Sequence, residues 1–269
     1  MNSSIGVFDS GVGGLTILRA ICELLPSQPA IYFADQAHVP YGNRQLEEVR
    51  GFAFEITRYL IDQGSKLIVV ACNTASVASL KFLREQFPHV PFVGMEPAVK
   101  PAAEQTTSGV VGVLATYATF QGEVYSSVVE RFGQGVEILQ NHCPGLVHQI
   151  EKGNLSGNET RTILENALQT MLARGIDTVV LGCTHYPFVI PLIQEIVGPR
   201  IRVIDPAPAV ARQVRRMLES QSWFIENHSP ASLRFITSGN NQTLESSLGL
   251  YLGETYHVEA VEWHHGYLQ

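Results

Sequence analysis

Two cysteines stand where apolar segments give way to short polar clusters. Cys72 follows the apolar stretch 67–71 and opens the cluster Cys72-Asn73-Thr74, whereas Cys183 follows the apolar stretch 178–181 and opens Cys183-Thr184-His185. Open parallel sheets bind ligands outside the carboxyl ends of their strands, close to helix N-termini that offer unpaired backbone amides. Both thiols therefore stand where a parallel sheet presents functional groups.

A thiol in such a position can act as a base. The pKa of a cysteine is about 8.5 and falls toward neutrality at a helix N-terminus, because the helix favours the thiolate. When two such groups face each other across a small cleft, one thiolate removes a proton from a carbon atom. The opposite thiol then returns a proton to the other face of that carbon, and the outcome is inversion.

These side chains also have structural interpretations. An isolated cysteine is usually a small buried apolar residue, and we keep this interpretation for Cys22 and Cys143. A disulfide between Cys72 and Cys183 is disfavoured in a reducing compartment. A metal site is disfavoured because Cys183 and His185 supply two ligands where three or four are usual, so no metal is predicted.

Asp9 and His185 leave two interpretations open. Asp9 ends the first apolar run, and its carboxylate either caps the helix that starts near Leu15 or serves the site. His185 is either a buried core histidine or the group that orients or protonates Cys183. The nearby glycines at 11, 13 and 14 lack the spacing of a nucleotide-binding loop, and we predict no nucleotide.

The alternation of apolar runs and helix-length segments predicts an α/β fold with parallel strands. We predict one series of strands in the first half and a second series in the other half: Ile5–Phe8, Ala30–Ala34, Leu67–Ala71 and Pro91–Gly94, then Val110–Leu114, Val136–Leu139, Thr178–Leu181 and Arg202–Ile204. The predicted helices between them are Leu15–Leu25, Gln45–Asp62, Ala75–Gln86, Gln121–Arg131, Glu159–Ala173 and Pro187–Ile196. The strand that ends at Ala71-Cys72 matches the strand that ends at Gly182-Cys183, so the halves resemble repeats.

The remaining chain predicts a return to the first half. A helix over Ala207–Leu218 and strands at Leu233–Thr237 and His257–Val261 would otherwise lack a sheet to join. Proline-containing linkers at 96–98 and 205–208 separate the parts. We therefore expect two pseudo-symmetric α/β domains, each a mostly parallel sheet flanked by helices. Residues 1–97 with 207–269 carry Asp9 and Cys72, residues 98–206 carry Cys183 and His185, and the active site lies in the cleft between the domains.

Composition narrows the class of ligand. The 269-residue chain has 45% hydrophobic and 16% charged residues and a formal net charge of −7, with its lysines and arginines scattered. Such a balance disfavours a nucleic-acid partner, and no apolar run reaches the roughly 18 residues of a membrane-spanning helix. The N-terminus shows no secretory signal, so a cytoplasmic location is expected. Small molecules are the expected partners.

Four motifs in order resemble the aspartate/glutamate racemase family, from Ile5 to about Gly239. They are Val7-Phe8-Asp9-Ser10-Gly11-Val12-Gly13-Gly14, Val39-Pro40-Tyr41-Gly42, Ala71-Cys72-Asn73-Thr74-Ala75-Ser76 and Leu181-Gly182-Cys183-Thr184-His185-Tyr186-Pro187. The resemblance implies cofactor-independent interconversion of L- and D-glutamate, which supplies D-glutamate for peptidoglycan. We find no lysine that would suggest a bound cofactor.

The resemblance also implies roles for individual residues. Cys72 and Cys183 would be the proton donors and acceptors on opposite faces of Cα, Asp9 would assist Cys72, and His185 would assist Cys183. Glu151 resembles a supporting carboxylate of the family. Residues implied in substrate binding are Asp9, Ser10, Pro40, Tyr41, Gly42, Asn73, Thr74, Thr116, Thr119, Thr184 and His185.

Other functions stay open from the sequence alone. The same thiol pair would serve racemisation of aspartate or of a hydantoin, and a two-domain cleft would also suit a non-catalytic dicarboxylate-binding protein. The duplicated cysteine disfavours the binding protein, because binding alone does not require it. The chain departs from the family pattern at Asn43, at Leu244 and in the segment 143–146. The sequence does not define an oligomer interface, and a homodimer is one option.

Overall fold

The computed structural model describes residues 4–96, 98–226 and 230–269. Residue 97, at the predicted domain boundary, lies outside the described residues, as do residues 1–3, on which the expected absence of a secretory signal partly depends. By its internal contacts the chain divides into two compact units, Met1–Met95 with Ala207–Gln269 and Glu96–Pro206.

Strands and helices alternate along most of the chain. In chain order they are β1 (Ser4–Asp9), α1 (Leu15–Leu24), β2 (Ala30–Ala34), α2 (Leu46–Asp62), β3 (Ser65–Val70), α3 (Asn73–Gln86), β4 (Phe92–Gly94), α4 (Val99–Gln105), β5 (Val110–Ala115), α5 (Tyr117–Gln121), α6 (Glu123–Phe132), β6 (Glu137–Asn141), α7 (Leu146–Glu151), α8 (Asn158–Ala173), β7 (Thr178–Gly182), α9 (Ile190–Val197), β8 (Arg202–Ile204), α10 (Ala207–Ser220), β9 (Leu233–Thr237), α11 (Asn241–Leu252), β10 (Val258–Ala260), β11 (Trp263–His264) and β12 (Tyr267–Leu268). The predicted α/β class is confirmed: parallel sheets are flanked by helices.

The first unit contains a six-stranded sheet in the order β10-β9-β2-β1-β3-β4. Every neighbouring pair within it is parallel. Its central strands are apolar and buried along nearly their whole length, as expected for a sheet covered on both faces. All of its strand ends therefore point the same way, and the residues after β1, β2, β3 and β9 share one edge.

The tail joins the sheet of the first unit, as the sequence predicted. β9 pairs with β2 from Ala30 opposite Leu233 to Ala34 opposite Thr237. α10 packs against α1. It does so because Val210, Val214 and Leu218 recur at helical spacing and form a buried face.

The second unit contains a four-stranded parallel sheet in the order β6-β5-β7-β8. The first four strands of the other unit follow the same order, with the second strand beside the first, then the third and the fourth. Cys72 comes after the third strand of its unit and Cys183 after the third strand of the other. The two thiols thus occupy equivalent positions in two sheets of the same topology.

Helix boundaries differ from the predicted ones where capping intervenes. The helix predicted at Gln121–Arg131 is α6, which begins at Glu123 because the extended backbone at Gly122 separates it from the short α5 that Thr116 caps. The helix predicted at Pro187–Ile196 begins with a 3-10 turn over Tyr186–Val189 before α9. The sequence analysis did not predict α4, α5, α7 or α11.

Each unit has its own apolar core. The first includes Phe8, Phe33 and Ile68, and the second includes Val111, Val113 and Val180. Among the described helices, none is both long enough and apolar enough to cross a membrane.

Candidate active site

Cys72 caps the N-terminus of α3. Its backbone is extended (φ −141°, ψ 124°), and its Sγ accepts a hydrogen bond of 3.5 Å from the backbone N–H of Ala75. The side chain is 5% exposed. An N–H donor and the positive end of a helix both stabilise a thiolate more than a thiol. The local structure therefore supplies the conditions under which Cys72 can act as a base.

Asp9 lies at the end of β1, the strand beside β3. The backbone N–H of Ala71 donates to the carbonyl of Phe8 over 2.8 Å, so the two strand ends are tied together. The Oδ2 atom of Asp9 accepts from the backbone N–H of Gly11 (3.2 Å) and of Gly14 (3.0 Å). Its carboxylate thus stabilises the turn into α1, as the structural interpretation proposed, and it does so beside the strand that leads to Cys72.

Asn73, which directly follows Cys72, has a buried side-chain amide. Among the described residues, neither its Oδ1 nor its Nδ2 finds one, and the residue is 2% exposed. Leaving a buried polar atom unpaired costs about 1–3 kcal/mol. An amide with an unpaired donor and acceptor next to Cys72 can bind a carboxylate and an ammonium group of a ligand. The neighbouring Ser10 and Thr74 are also buried.

The predicted substrate loop 40–42 enters a 3-10 turn over Tyr41–Asn43, after the half-buried Pro40. The phenol of Tyr41 donates to Asp35 over 2.5 Å. Burial, and then the neighbouring Asp35, raise the pKa of Tyr41 well above its usual value. The phenol of Tyr41 therefore remains protonated and hydrogen-bonded to Asp35, which holds this turn against the residue after β2.

Cys183, His185 and Glu151 form a chain of contacts in the second unit. The Sγ of Cys183 lies 3.9 Å from Nδ1 of His185, and Nε2 of His185 lies 2.5 Å from Oε1 of Glu151. Burial lowers the pKa of His185, but its hydrogen bonds to Cys183 and Glu151 outweigh burial and raise that pKa well above 6.5. A protonated imidazole held this way can stabilise a thiolate at Cys183 or return a proton to it.

Three threonines lie at the carboxyl ends of the neighbouring strands β5 and β7. The hydroxyls of Thr116 and Thr119 form a hydrogen bond of 2.8 Å, and Thr184 directly follows Cys183. All three are buried. The predicted site residues of this unit therefore gather at one edge of its sheet, as those of the first unit gather at the edge of the other.

The remaining cysteines are poor bases. Burial and the adjacent Glu23 raise the pKa of Cys22 to about 11, and burial with nearby Cys183 raises the pKa of Cys143 to about 12. All four cysteines are free thiols. Within the described ranges, no group of three or more His, Cys, Asp or Glu side chains is arranged to bind a metal ion.

Asp35 is the residue at this edge that sequence reasoning missed. It directly follows β2, is fully buried, and lies within hydrogen-bond distance of His38, Tyr41, Ser238 and Trp263. The signal was present, because Asp35 follows an apolar strand in the same way as Asp9 follows the first one.

Strand ends of a parallel α/β unit that carry a thiol, a carboxylate and an unpaired amide are typical of a site for a small polar molecule. Residues 5–214 match the profile described as Asp/Glu/Hydantoin racemase. The chain belongs to this racemase family, as the motifs predicted, and it is therefore an isomerase.

Similar proteins extend over nearly the whole chain. The glutamate racemase of Ectopseudomonas mendocina is 46% identical over 261 residues, which cover 96% of this chain and 99% of that protein. A glutamate racemase isoform from Bacillus anthracis has a similar structure, with a TM-score of 0.87, 31% identity and 98% of each chain covered. The glutamate racemase of Francisella tularensis in complex with D-glutamate gives a TM-score of 0.84 at 30% identity, over 97% of this chain and 98% of that one.

Proposed function

We propose that this protein interconverts L- and D-glutamate without a cofactor, with Cys72 and Cys183 as the two proton donors and acceptors. The observation that carries the proposal is the recurrence of a buried thiol after the third strand of two sheets with the same topology. The similarity to glutamate racemases, one of which binds D-glutamate in its crystal structure, supports the choice of substrate.

In the proposed reaction, one cysteine starts as a thiolate and the other as a thiol. The thiolate accepts the proton from Cα of one enantiomer, and the electron pair of the broken C–H bond spreads into the α-carboxylate. The opposite thiol then donates its proton to the other face of Cα. Each turnover leaves the two cysteines with exchanged protonation states, which suits the reverse reaction and is reset by exchange with water.

The two thiols are supported differently. On the Cys72 side, the Ala75 N–H stabilises the thiolate, and Asp9 stands on the neighbouring strand end as the assisting carboxylate. On the Cys183 side, His185 transfers or holds the proton, and Glu151 acts as the positioning residue that keeps His185 protonated.

The unpaired amide of Asn73 supports binding of the substrate's charged groups. We assign the same role to the buried hydroxyls and the backbone of the 40–42 loop: Ser10, Pro40, Tyr41, Gly42, Thr74, Thr116, Thr119 and Thr184. Hydroxyls, amides and helix N-termini bind carboxylates without a surplus of cations, in keeping with the acidic chain. Carbanion character at Cα makes these donors important, because no cofactor takes up the charge in this proposal.

In the cell, this activity would supply D-glutamate for peptidoglycan in the cytoplasm. The domain assignment belongs to the same proposal: residues 1–97 with 207–269 carry Asp9 and Cys72, and residues 98–206 carry Cys183 and His185. Support for the cellular role comes from the family resemblance and from the racemase relatives.

The test is solvent exchange at Cα. Purified protein is incubated in D₂O with L-glutamate, L-aspartate or a hydantoin, without added cofactor, while deuteration and optical rotation are followed. We expect deuterium at Cα and complete loss of rotation with glutamate. Activity on aspartate or the hydantoin alone would assign the related reaction, and binding of glutamate without exchange would identify a non-catalytic binding protein.

A further inference from the structure

The carboxylate of Asp35 forms hydrogen bonds with residues from two parts of the chain that are distant in sequence. From the loop after β2, Nδ1 of His38 lies 2.9 Å away and the Tyr41 hydroxyl 2.5 Å away. From the tail, the Ser238 hydroxyl donates over 2.6 Å and the indole N–H of Trp263 over 2.8 Å. We call these five residues the Asp35 cluster.

The tail residues also hold the loop by further contacts. The Oγ atom of Ser238 accepts from the backbone N–H of Ala37 over 3.1 Å. The ring of His38 stacks on Phe52 with centroids 3.8 Å apart, and Trp263 packs edge-on against both, at 5.0 Å and 5.5 Å. Hydrogen bonds to Asp35 and an aromatic stack therefore connect residues 35–41 to the residue after β9 and to β11.

Asp35 also contacts the edge of the sheet at which Asp9 lies. The backbone N–H of Asp35 donates to the carbonyl of Asp9 over 2.9 Å, while the carboxylate of Asp35 accepts a hydrogen bond from the Tyr41 hydroxyl. A shift of Asp35 would therefore be transmitted to the Tyr41–Gly42 turn. Both tail donors lie beyond residues 5–214, the range that matches the racemase profile.

We propose that Trp263 and Ser238 are positioning residues for substrate binding, which fasten the 40–42 loop through Asp35. This inference rests on the function proposed above, in which that loop binds glutamate. A fully buried carboxylate requires its donors, because each one lost leaves charge that neither water nor protein compensates. Without the indole N–H, Asp35 turns toward its remaining partners and the loop loses its single conformation.

Trp263→Phe tests the proposal, because it keeps an aromatic ring in the stack and removes only the N–H donor. The matched control is Trp223→Phe, which changes the chain's other tryptophan, packed below Lys66 and outside the cluster. Hydrogen exchange is measured on the ligand-free proteins, and racemisation is measured in both directions.

We expect faster exchange in the peptide 36–45 of Trp263→Phe, where the amides of Ala37, His38 and Arg44 are hydrogen-bonded. We also expect a KM for glutamate about tenfold higher with kcat within about twofold, because uniform binding is lost and the chemical step is retained. Ser238→Ala, which removes the other tail donor, should act in the same direction. Trp223→Phe should leave exchange of this peptide and KM unchanged.

The two measurements separate the inference from the function on which it rests. Unchanged exchange of 36–45 in both cluster variants would overturn the fastening, whether or not the protein is a racemase. Faster exchange with an unchanged KM would overturn the role in substrate binding. An inactive wild type would instead overturn the proposed function. Faster exchange in the variants would then still support the fastening of the loop by Trp263 and Ser238, but not its role in substrate binding.

Discussion

The two thiols differ in the groups that lie beside them. Cys72 has a helix N-terminus and the Ala75 N–H, whereas Cys183 has an imidazole at 3.9 Å that Glu151 holds from the other side. A fixed backbone donor does not titrate, but an imidazole does. The two proton-transfer steps should therefore respond differently to pH and to substitution.

Replacement of either thiol by a hydroxyl should stop racemisation. A serine hydroxyl stays protonated at neutral pH, so Cys72→Ser and Cys183→Ser each remove one acid–base group, and kcat should fall by about a hundredfold or more. Polarimetry measures the loss, and circular dichroism checks the fold. Cys22→Ser is the matched control, since burial already keeps that thiol protonated with a pKa of about 11. Near-normal turnover in a Cys72 or Cys183 variant would remove that thiol from the mechanism.

The raised pKa of His185 makes stability depend on pH. Because the folded pKa exceeds the unfolded value of 6.5, the stabilisation is complete below pH 6.5 and is lost as pH rises through the folded pKa. The free energy of unfolding should fall by up to about 1.4 kcal/mol per pH unit in that window. Glu151→Gln should flatten this slope, because it removes one of the two partners that raise the pKa of His185.

Urea unfolding at several pH values above 6.5 measures this slope. Glu137→Gln is the control, since Glu137 forms an exposed ion pair with Arg174 and does not contact His185. Equal slopes in the wild type and Glu151→Gln would contradict the assigned cause.

At the scale of single elements, the close approach of β7 to β5 determines where Cys183 lies. A Cβ atom on Gly182 would lie 2.8 Å from Cβ of Ala115 and 3.3 Å from the carbonyl oxygen of Leu114. These atoms belong to a buried strand and cannot move aside as a flexible side chain would. Glycine at position 182 therefore lets the two strands pair up to the residue before the thiol.

Gly182→Ala should consequently displace Cys183 and destabilise the second unit. We expect a loss of about 1–3 kcal/mol in the free energy of unfolding, as for overpacking elsewhere, together with a lower kcat. The matched control is Gly51→Ala in α2, where a Cβ meets nothing within 4 Å and helix propensity should add up to about 1 kcal/mol. Wild-type stability and turnover in Gly182→Ala would show that β7 shifts without cost.

Most strands and long helices were predictable because local sequence determines them. Apolar runs bounded by glycine, proline or polar residues indicated β1–β10, and helical spacing indicated α1–α3, α6 and α8–α10. The helices α4, α5, α7 and α11 were missed, although the Asn240 cap and the left-handed Gly253 (φ 77°) mark both ends of α11. Helices as short as α4 and α7 depend on packing against neighbours more than on their own sequence.

At the scale of the whole molecule, the tail changes the first sheet. β9 and β10 extend it from four strands to six, and Ser238 and Trp263 bring donors to Asp35 from more than two hundred residues away. Ordering residues so distant in sequence costs conformational entropy. Packing in the sheet and in the aromatic stack around Phe52 offsets this cost. The C-terminal part of the chain is therefore integral to the first unit.

Glutamate should stabilise the native molecule. A ligand that binds only the folded state adds about 1.4 kcal/mol for each tenfold rise in concentration above its Kd. Thermal unfolding in the presence of L- or D-glutamate should therefore show a Tm that rises with concentration, equally for both enantiomers once racemisation is complete. Aspartate at the same concentrations is the control and should shift Tm less. A larger shift with aspartate would reassign the substrate.

The sequence by itself determined the α/β class, the repeat, the return of the tail to the first sheet and the two cysteines at equivalent strand ends. These features follow from local patterns of apolar and polar residues, because each helix or strand is determined largely by residues close together in the sequence. Only the tertiary structure decided which side chains meet: Glu151 with His185, and Ser238 and Trp263 with Asp35. The reason is physical, because a buried charge is stabilised by whichever donors folding brings to it, and their distance along the chain leaves no mark in local sequence.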